Sequence, residues 1–417
     1  MFSANEDFDL VYTANWANYS DQALKGGFLE LTEDMLSTYA PKSYEAISKA
    51  FWDQTKVNGK IYMVPNNIED VTDKVVLVRG DLLKKYNLPS LQSPEDFANY
   101  LTTLADNEKG LIPFNIAAGN GAFFHELDPI FVEQNNEWNL VDNGLPLAYS
   151  MNDNAGKIFN FFETPEYSQT LALYKTLSEK GAWPKNVVNN KSDTGEEFKV
   201  GKNGVALHNT GTLAGLMSEM ARPDKHPEYD TQVFDLSAGK KKIAAIATQN
   251  GTAIHATSKN PERALMLLDL LQNDKEIHDL IMYGIADKHF IPVGEDKLSA
   301  GPDAANFGGF SNWGWFSKLD RVDSTRVQAA QDMIDQLKSE VYHFPLETFV
   351  FDDSKIKNEK ANVGNVLLRY GLPLEYGLVK DNEKGLQDLL AQLKKAGIEK
   401  IQTEMQKQID EFLANRQ

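Results

Sequence analysis

"SKNPERALMLLDLLQND", residues 258–274, reads as a helix with a marked beginning. Asn260 stands at the cap position and Pro261 at the first helical position, where a missing N–H leaves no bond unmade. The stretch before it, "IAAIATQNGTAIHA" (243–256), is extended and β-rich. The same alternation recurs along the chain. "DLVYTA" (9–14) reads as a short buried strand of parallel type. "VNGKIYMVP" (57–65) places an Asn-Gly pair between apolar segments, a hairpin signal. "DKVVLVR" (73–79), "GLIPFNIAA" (110–118) and "GVALHN" (204–209) are further strands. Helical patterns cover 42–56, the stretch opened by Ser93-Pro94, 164–181, 324–340 and 383–415, and Asp81 is expected to cap "LLKKY". Strands alternating with helices make the class α/β.

A chain of 417 residues exceeds one ordinary core, so two domains are expected. The net charge of −18 repels phosphate backbones and argues against nucleic acid as a partner. There is no cysteine, which excludes disulfides, thiolate nucleophiles and Cys-ligated metal sites. The beginning, "MFSANEDFDLVYTANW", carries neither a basic nor an apolar signal region, and a strand pattern follows within a few residues. The chain is therefore expected to start inside a fold, as a shortened form would.

Motifs that carry chemistry fail in turn. "GEEFKVGKNG" breaks the phosphate-loop spacing, and "AAGNGAFF" lacks the third glycine of a dinucleotide fingerprint. There is no G-x-S-x-G elbow, and His125-Glu126 has no second histidine at zinc spacing. No catalytic residue, metal site or cofactor is expected. Sixty acidic residues remain compatible with a paired-carboxylate glycosidase, whose partners need only meet in space.

Taken in order, several segments resemble the bacterial extracellular solute-binding proteins of ABC importers, in their carbohydrate-type, maltose-binding-protein-like branch. These are "DFDLVYTANW…ALKGGFLELTEDM", "FWDQTKVNGKIYMVPNN", "VLVRGDLLKKYNLPSLQSPEDF", "FKVGKNGVALHNTG" and "SKNPERALMLLDLLQND". The ending, from "YGLPLEYGLVKDNEKGLQ" to "FLANR", is similar to a Gram-positive lipoprotein subfamily of this group. The resemblance covers nearly the whole chain. It implies a two-lobe periplasmic-binding-protein-like fold with a hinge and an interlobe cleft. Lobe one is expected at 1–72 and 245–297, and lobe two at 73–244 and 298–417. It implies a non-catalytic, extracellular, lipid-anchored component that captures an oligosaccharide and passes it to membrane permease subunits as a monomer. Family members begin with a lipoprotein signal, a lipidated cysteine and a strand–helix–strand unit that this sequence lacks, so an N-terminal truncation is expected. A glycan-active enzyme, or the same fold binding a peptide or another solute, stays open.

Within that reading, the ligand residues are sought where strands end. Asn15 and Trp16 follow the first strand, and Asn66 and Glu69 follow the hairpin, where turn chemistry is the alternative. Asn209 and Thr210 either cap a helix or meet ligand, and Gln249 and Asn250 either wall the cleft or form a turn. Trp313 and Trp315 lie in "SNWGWFS" (311–317), expected at a loop-to-helix junction of lobe two. One would stack on sugar while the other packs. Phe123, Phe124 and Trp138 are further candidates for the cleft rim, Trp183 sits in a polar context, and Trp52 is expected in the core.

Overall fold

The computed structural model describes residues 7–415 apart from 72, 119–122, 309–311 and 347–348. Gly119 and Gly121 of the incomplete fingerprint, and Gly309, Phe310 and Ser311 beside the tryptophan pair, lie outside the described residues. The chain forms two compact units. Unit 1 comprises Met1–Asp70 with Ala244–Arg326, and unit 2 comprises Val71–Ile243 with Val327–Gln417.

The central sheet of each unit has three strands. In chain order these are β1 (Leu10–Thr13), β2 (Met63–Pro65), β3 (Lys74–Val78), β4 (Val205–Asn209), β5 (Gln232–Phe234) and β6 (Gly251–Ile254). Unit 1 orders them β1-β6-β2 and unit 2 orders them β5-β3-β4, with every pairing antiparallel. The first strand is thus not of parallel type: a short apolar run reports burial, not direction. Only Gly251–Ile254 of the stretch 243–256 is a strand, preceded by one 3-10 turn at Ala247–Gln249.

The third boundary differs from the sequence expectation. Residues 298–326 lie in unit 1, not in the second lobe. Lys297–Ala300 pairs with Phe290–Val293 on one side and Val322–Asp323 on the other, and Trp315 packs against the unit 1 core. That small sheet of short, polar strands carries no alternation strong enough to read. No helix follows "SNWGWFS" directly; the next begins at Gln328.

In unit 1, Leu265, Leu268 and Leu271 of the helix Pro261–Asn273 meet Ile254 and Val64 of the sheet, with Trp52 in the same core. Asn260 holds the cap position without a side-chain bond. The pattern at 42–56 divides into Pro41–Ala46 and Lys49–Gln54, the second capped by Ser48. In unit 2, β3 is buried on both faces. Val76 and Val78 enter one core with Leu207, while Val75 and Leu77 enter another with Ala206, which explains the unbroken run "VVLV". The helix α1 (Thr210–Met220) follows β4 directly. "GLIPFNIAA" forms no strand: Ile112 makes a single bridge to Asn203, and Pro113 has no N–H to extend the ladder. The helix Gly80–Lys85 begins before Asp81, which instead grips Arg79 in a two-pronged ion pair.

The C-terminal pattern at 383–415 is two helices, α2 (Asn382–Ala396) and α3 (Ile398–Ala414). Gly397 divides them at φ 99°, a left-handed conformation that favours glycine, and a Cβ there would approach Glu359 Cγ at 2.9 Å. Leu389, Leu393, Ile401, Met405 and Ile409 pack into the large core of unit 2, so this segment completes that core. Among the described residues no helix is long and apolar enough to cross a membrane.

A buried acid pair ties the C-terminal segment to the rest of unit 2. Asp128 and Glu375 share a hydrogen bond, the Tyr174 hydroxyl donates to Asp128 at 2.7 Å, and the Tyr167 hydroxyl donates to Glu375 at 2.8 Å. His125 stacks between Tyr174 and Tyr376. Burial pushes Asp128 up to about 7, and burial with Asp128 beside it pushes Glu375 well above its usual range. Glu133 is raised to about 8 by burial and then by Asp128, while burial holds His125 well below 6.5. An unfolded aspartate ionises near pH ~3.9, so between that pH and the raised value the native state holds the extra proton. The carboxyl's contribution to stability therefore falls as pH rises through that window. The melting temperature of Asp128→Asn minus that of the native protein is expected to climb between about pH 5 and about pH 8. His125, shifted by burial alone, acts in both proteins and cancels, while Glu375 and Glu133 lose in the variant the part of their rise that Asp128 causes, which adds to the climb. A difference that stays flat or declines contradicts the raised pKa.

Candidate functional site

Three loops leave unit 1 at one end of its sheet. In the register Thr13 faces Gly251, and Gly251 faces Pro65, so the segments 14–18, 248–250 and 66–70 begin side by side. This is the carboxyl end of β1 and β2, where open α/β sheets place their ligands. A fourth segment lies against them. Thr252 donates its hydroxyl to the Gly314 carbonyl at 2.8 Å, and Asn66 donates its amide to the Trp313 carbonyl at 3.0 Å. Asn67 N–H donates to the Phe316 carbonyl at 3.3 Å. Gly314 allows this approach, since a Cβ would lie 2.5 Å from the Thr252 hydroxyl.

The result is an aromatic cluster built from β1, its following turn and the Gly314 loop. Trp16 and Trp313 meet edge to face at 6.1 Å, and Tyr12 lies 6.0 Å from Trp16 and 6.1 Å from Trp313. Trp16 is 53% exposed and Trp313 50%, an unusual state for the largest apolar side chain. Both are nevertheless held. Trp16 donates its indole N–H to the Gln249 carbonyl at 2.9 Å, and Tyr12 donates to Asn250 Oδ1 at 2.6 Å. Burial raises the Tyr12 phenol to about 12, so it stays protonated as a donor. Asn15 accepts the Trp16 backbone N–H at 2.8 Å. Trp315 turns the other way. Its indole N–H points to Met282 Sδ at 3.1 Å and its ring packs on the unit 1 core.

Eight of the ten sequence candidates thus fall in unit 1, and seven of them are fixed in or beside this cluster by the bonds just described, Trp315 on its core side. Glu69, the eighth, is exposed in the adjoining loop. Asn209 and Thr210 belong to unit 2. Asn209 caps α1 by accepting the Thr212 N–H at 2.9 Å, and Thr210 is buried. Asn209→Ala is expected to lower stability by about 1 kcal/mol in urea unfolding, with Asn209→Ser restoring most of it. A Ser variant as unstable as Ala contradicts the capping role. Tyr12 was not a sequence candidate, because it sits inside the apolar run of a strand. Trp183, for all its polar sequence context, is core, donating to the Tyr376 carbonyl at 3.1 Å. Trp138 packs on Phe159, Phe124 on Phe161 and Phe162, and Phe123 lies over Gly364. Among the described residues no group of three or more His, Asp or Glu side chains is arranged to hold a metal ion.

The crystal structure of the N-glycan transport solute-binding protein NgtS from Streptococcus pneumoniae superposes on the whole chain with a TM-score of 0.80, at 23% identity and 88% coverage of that chain. The chain has a solute-binding-protein fold. The structure of NgtS in complex with Man5GlcNAc matches with a TM-score of 0.73 at 24% identity, again over 100% of this chain and 88% of that one. In sequence, a carbohydrate ABC transporter substrate-binding protein of Streptococcus pneumoniae serotype 4 is 26% identical over 428 residues, covering 99% of this chain and 81% of that protein. Residues 345–414 match the family described as Domain of unknown function (DUF3502). That match takes in Glu375 and the helices α2 and α3, which in this solute-binding fold are part of the unit 2 core.

Proposed function

We propose that this protein is the extracellular solute-binding component of a carbohydrate ABC importer and that its ligand is a neutral oligosaccharide. The observation that carries the reading is the Tyr12–Trp16–Trp313 cluster, with both tryptophans half-exposed, held by Asn15, Asn66, Asn250 and the Gln249 backbone carbonyl. A pyranose has an apolar C–H face that flat aromatic rings cover, and hydroxyls that amides bridge as donor and acceptor together. A flat side chain held in place beforehand loses little freedom on binding. None of these residues is a cation, which favours a neutral sugar over a uronate. The NgtS complex makes Man5GlcNAc the first glycan to try.

The chain crosses between the two units near 70, 243 and 326, and in this reading the units are the lobes and those crossings the hinge. The ligand drives closure only through contacts better made in the closed state. Release to permease subunits, a monomeric state, the absence of catalysis and a lipid anchor belong to the same reading.

A thermal-shift panel of neutral oligosaccharides, led by Man5GlcNAc, tests it. A specific ligand at a hundredfold excess over its dissociation constant adds about 2.7 kcal/mol to stability. A shift with the glycan recovered intact supports a receptor. A shortened glycan makes the protein an enzyme, and a panel without any shift removes the carbohydrate assignment.

A further inference from the structure

The loop that carries Trp313 is gripped from two sides within unit 1. Thr252, Asn66 and Asn67 hold it from the sheet. The helix Lys275–Tyr283 holds it from the other side. Trp315 points its indole N–H to Met282, and Arg321 donates its backbone N–H to the Tyr283 hydroxyl at 2.7 Å. The Arg321 guanidinium forms a two-pronged ion pair with Asp279 at 2.9 and 2.8 Å. Asp320 reaches His278, Oδ1 to Nε2 at 3.0 Å, while its Oδ2 accepts the Ser317 backbone N–H at 3.1 Å. One carboxylate thus joins the helix to the turn 317–320, which Asp320 N–H closes by donating to the Ser317 carbonyl at 3.1 Å. The residue before that turn, Phe316, offers the carbonyl that takes the Asn67 N–H.

His278 is fully buried, and both of its ring nitrogens are engaged. Nδ1 lies 2.6 Å from the Leu271 carbonyl. A carbonyl only accepts, so Nδ1 carries a proton. An ionised carboxylate only accepts, so Nε2 carries one as well. An imidazole protonated at both nitrogens is a cation. The groups that face it are Asp320 from the turn, the Leu271 carbonyl from the helix Pro261–Asn273, and Asp279 and Tyr283 from its own helix. Asp279 is shared with Arg321, and burial raises the Tyr283 phenol to about 12, so that ring is neutral. Burial draws the His278 imidazole down, but its bonds to Asp320 and Leu271 and the charges of Asp320 and Asp279 outweigh that and lift it above 6.5. A neutral ring keeps one N–H. Its bare nitrogen would then turn a lone pair on either the Asp320 carboxylate or the Leu271 carbonyl, and one anchor would be lost.

We propose that His278, held as an imidazolium, is a positioning residue that sets the Trp313 side of the sugar site and makes sugar affinity fall as its proton leaves. It touches no ligand and acts through Asp320, the turn 317–320 and the chain leading back to Trp313. The inference rests on the oligosaccharide reading above. A histidine whose pKa is raised by its partners holds them fully below its ordinary ~6.5 and loses them as pH rises through the raised value. A sugar stacked on Trp313 favours the anchored loop, so by reciprocity it raises the His278 pKa as much as the proton aids binding.

Calorimetric titration with Man5GlcNAc and the neutral oligosaccharide set, between about pH 6 and about pH 9, tests it. The proteins are the native chain, His278→Gln, which has no cation at that place, and the exposed-histidine control His343→Gln. Native affinity should hold at the acid end and fall about tenfold towards the alkaline end. Near the midpoint, binding should take up protons, seen as a heat that varies with the ionisation enthalpy of the buffer. His278→Gln should bind about tenfold more weakly at the acid end, with a flat profile and without that uptake. The control should follow the native protein. Nitrogen NMR of the imidazoles should show His278 protonated at both nitrogens at the acid end, with a midpoint that glycan moves upwards. Flat native affinity without proton uptake, or a His278→Gln variant that keeps the native pH profile, overturns the inference and leaves the receptor reading intact. No binding of any glycan at any pH overturns the receptor reading and this inference with it. Should His278→Gln fail to fold, the native protein decides: a His278 midpoint that glycan leaves unmoved overturns the inference.

Discussion

Trp16→Ala and Trp313→Ala are each expected to weaken oligosaccharide binding by about 10- to 30-fold, with little change in the melting temperature of the unliganded protein. The estimate follows from the ~2 kcal/mol or more typical of a central aromatic contact, with ~1.4 kcal/mol corresponding to tenfold. The small effect on folding follows from exposure. Half of each indole already faces solvent, so truncation opens no sealed cavity. The exposed face of Trp16 loses one bond, to the Gln249 carbonyl, which solvent can replace. Trp315→Ala provides the contrast. That ring packs on the unit 1 core, so its removal should lower the melting temperature first and affect binding only through the fold. Calorimetric titration beside differential scanning calorimetry separates the two patterns. Equal stability losses at Trp313 and Trp315 would make the whole cluster a packing feature.

The largest effect on stability is expected at Lys242. Its ammonium is fully buried, 2.8 Å from Asp235 Oδ2, and donates to the Ser237 carbonyl at 2.9 Å and the Ser237 hydroxyl at 2.7 Å. Its backbone is held too: Lys242 N–H donates to the Glu340 carbonyl, and Tyr342 N–H donates to the Lys242 carbonyl. This is the last stretch of unit 2 before the chain leaves it at Ile243. Lys242→Met removes the cation and strands the buried Asp235 carboxylate, a loss of about 3–5 kcal/mol. The double variant Lys242→Met/Asp235→Leu should recover part of that loss, because no uncompensated charge remains. Urea unfolding followed by far-UV circular dichroism measures both. A single variant within about 1 kcal/mol of the native protein would place the pair among weak surface bridges.

Much of the architecture was legible where local rules act strongly. Ser93-Pro94, Thr164-Pro165 and Asn209 open helices as their chemistry requires, and the Asn-Gly pair at 58–59 makes its hairpin. Strand direction and the placement of 298–326 depend on partners distant in sequence, which local pattern does not record, whereas the division at Gly397 is a local glycine stop inside an otherwise continuous helical pattern. The cluster was partly legible for the same reason. Trp16, Asn66, Asn250 and Trp313 stand at strand ends or in polar loops, while Tyr12 is hidden inside the apolar run of a strand.

Isothermal titration of the native protein with Man5GlcNAc and a matched set of neutral oligosaccharides, with the glycan recovered and sized afterwards, tests the central claim most directly. The account predicts saturable binding of one glycan per chain, abolished or sharply weakened in a Trp16→Ala/Trp313→Ala variant, with every glycan returned at its starting length. Absence of heat with the whole set, undiminished binding by the double variant, or recovery of shortened glycan would contradict it.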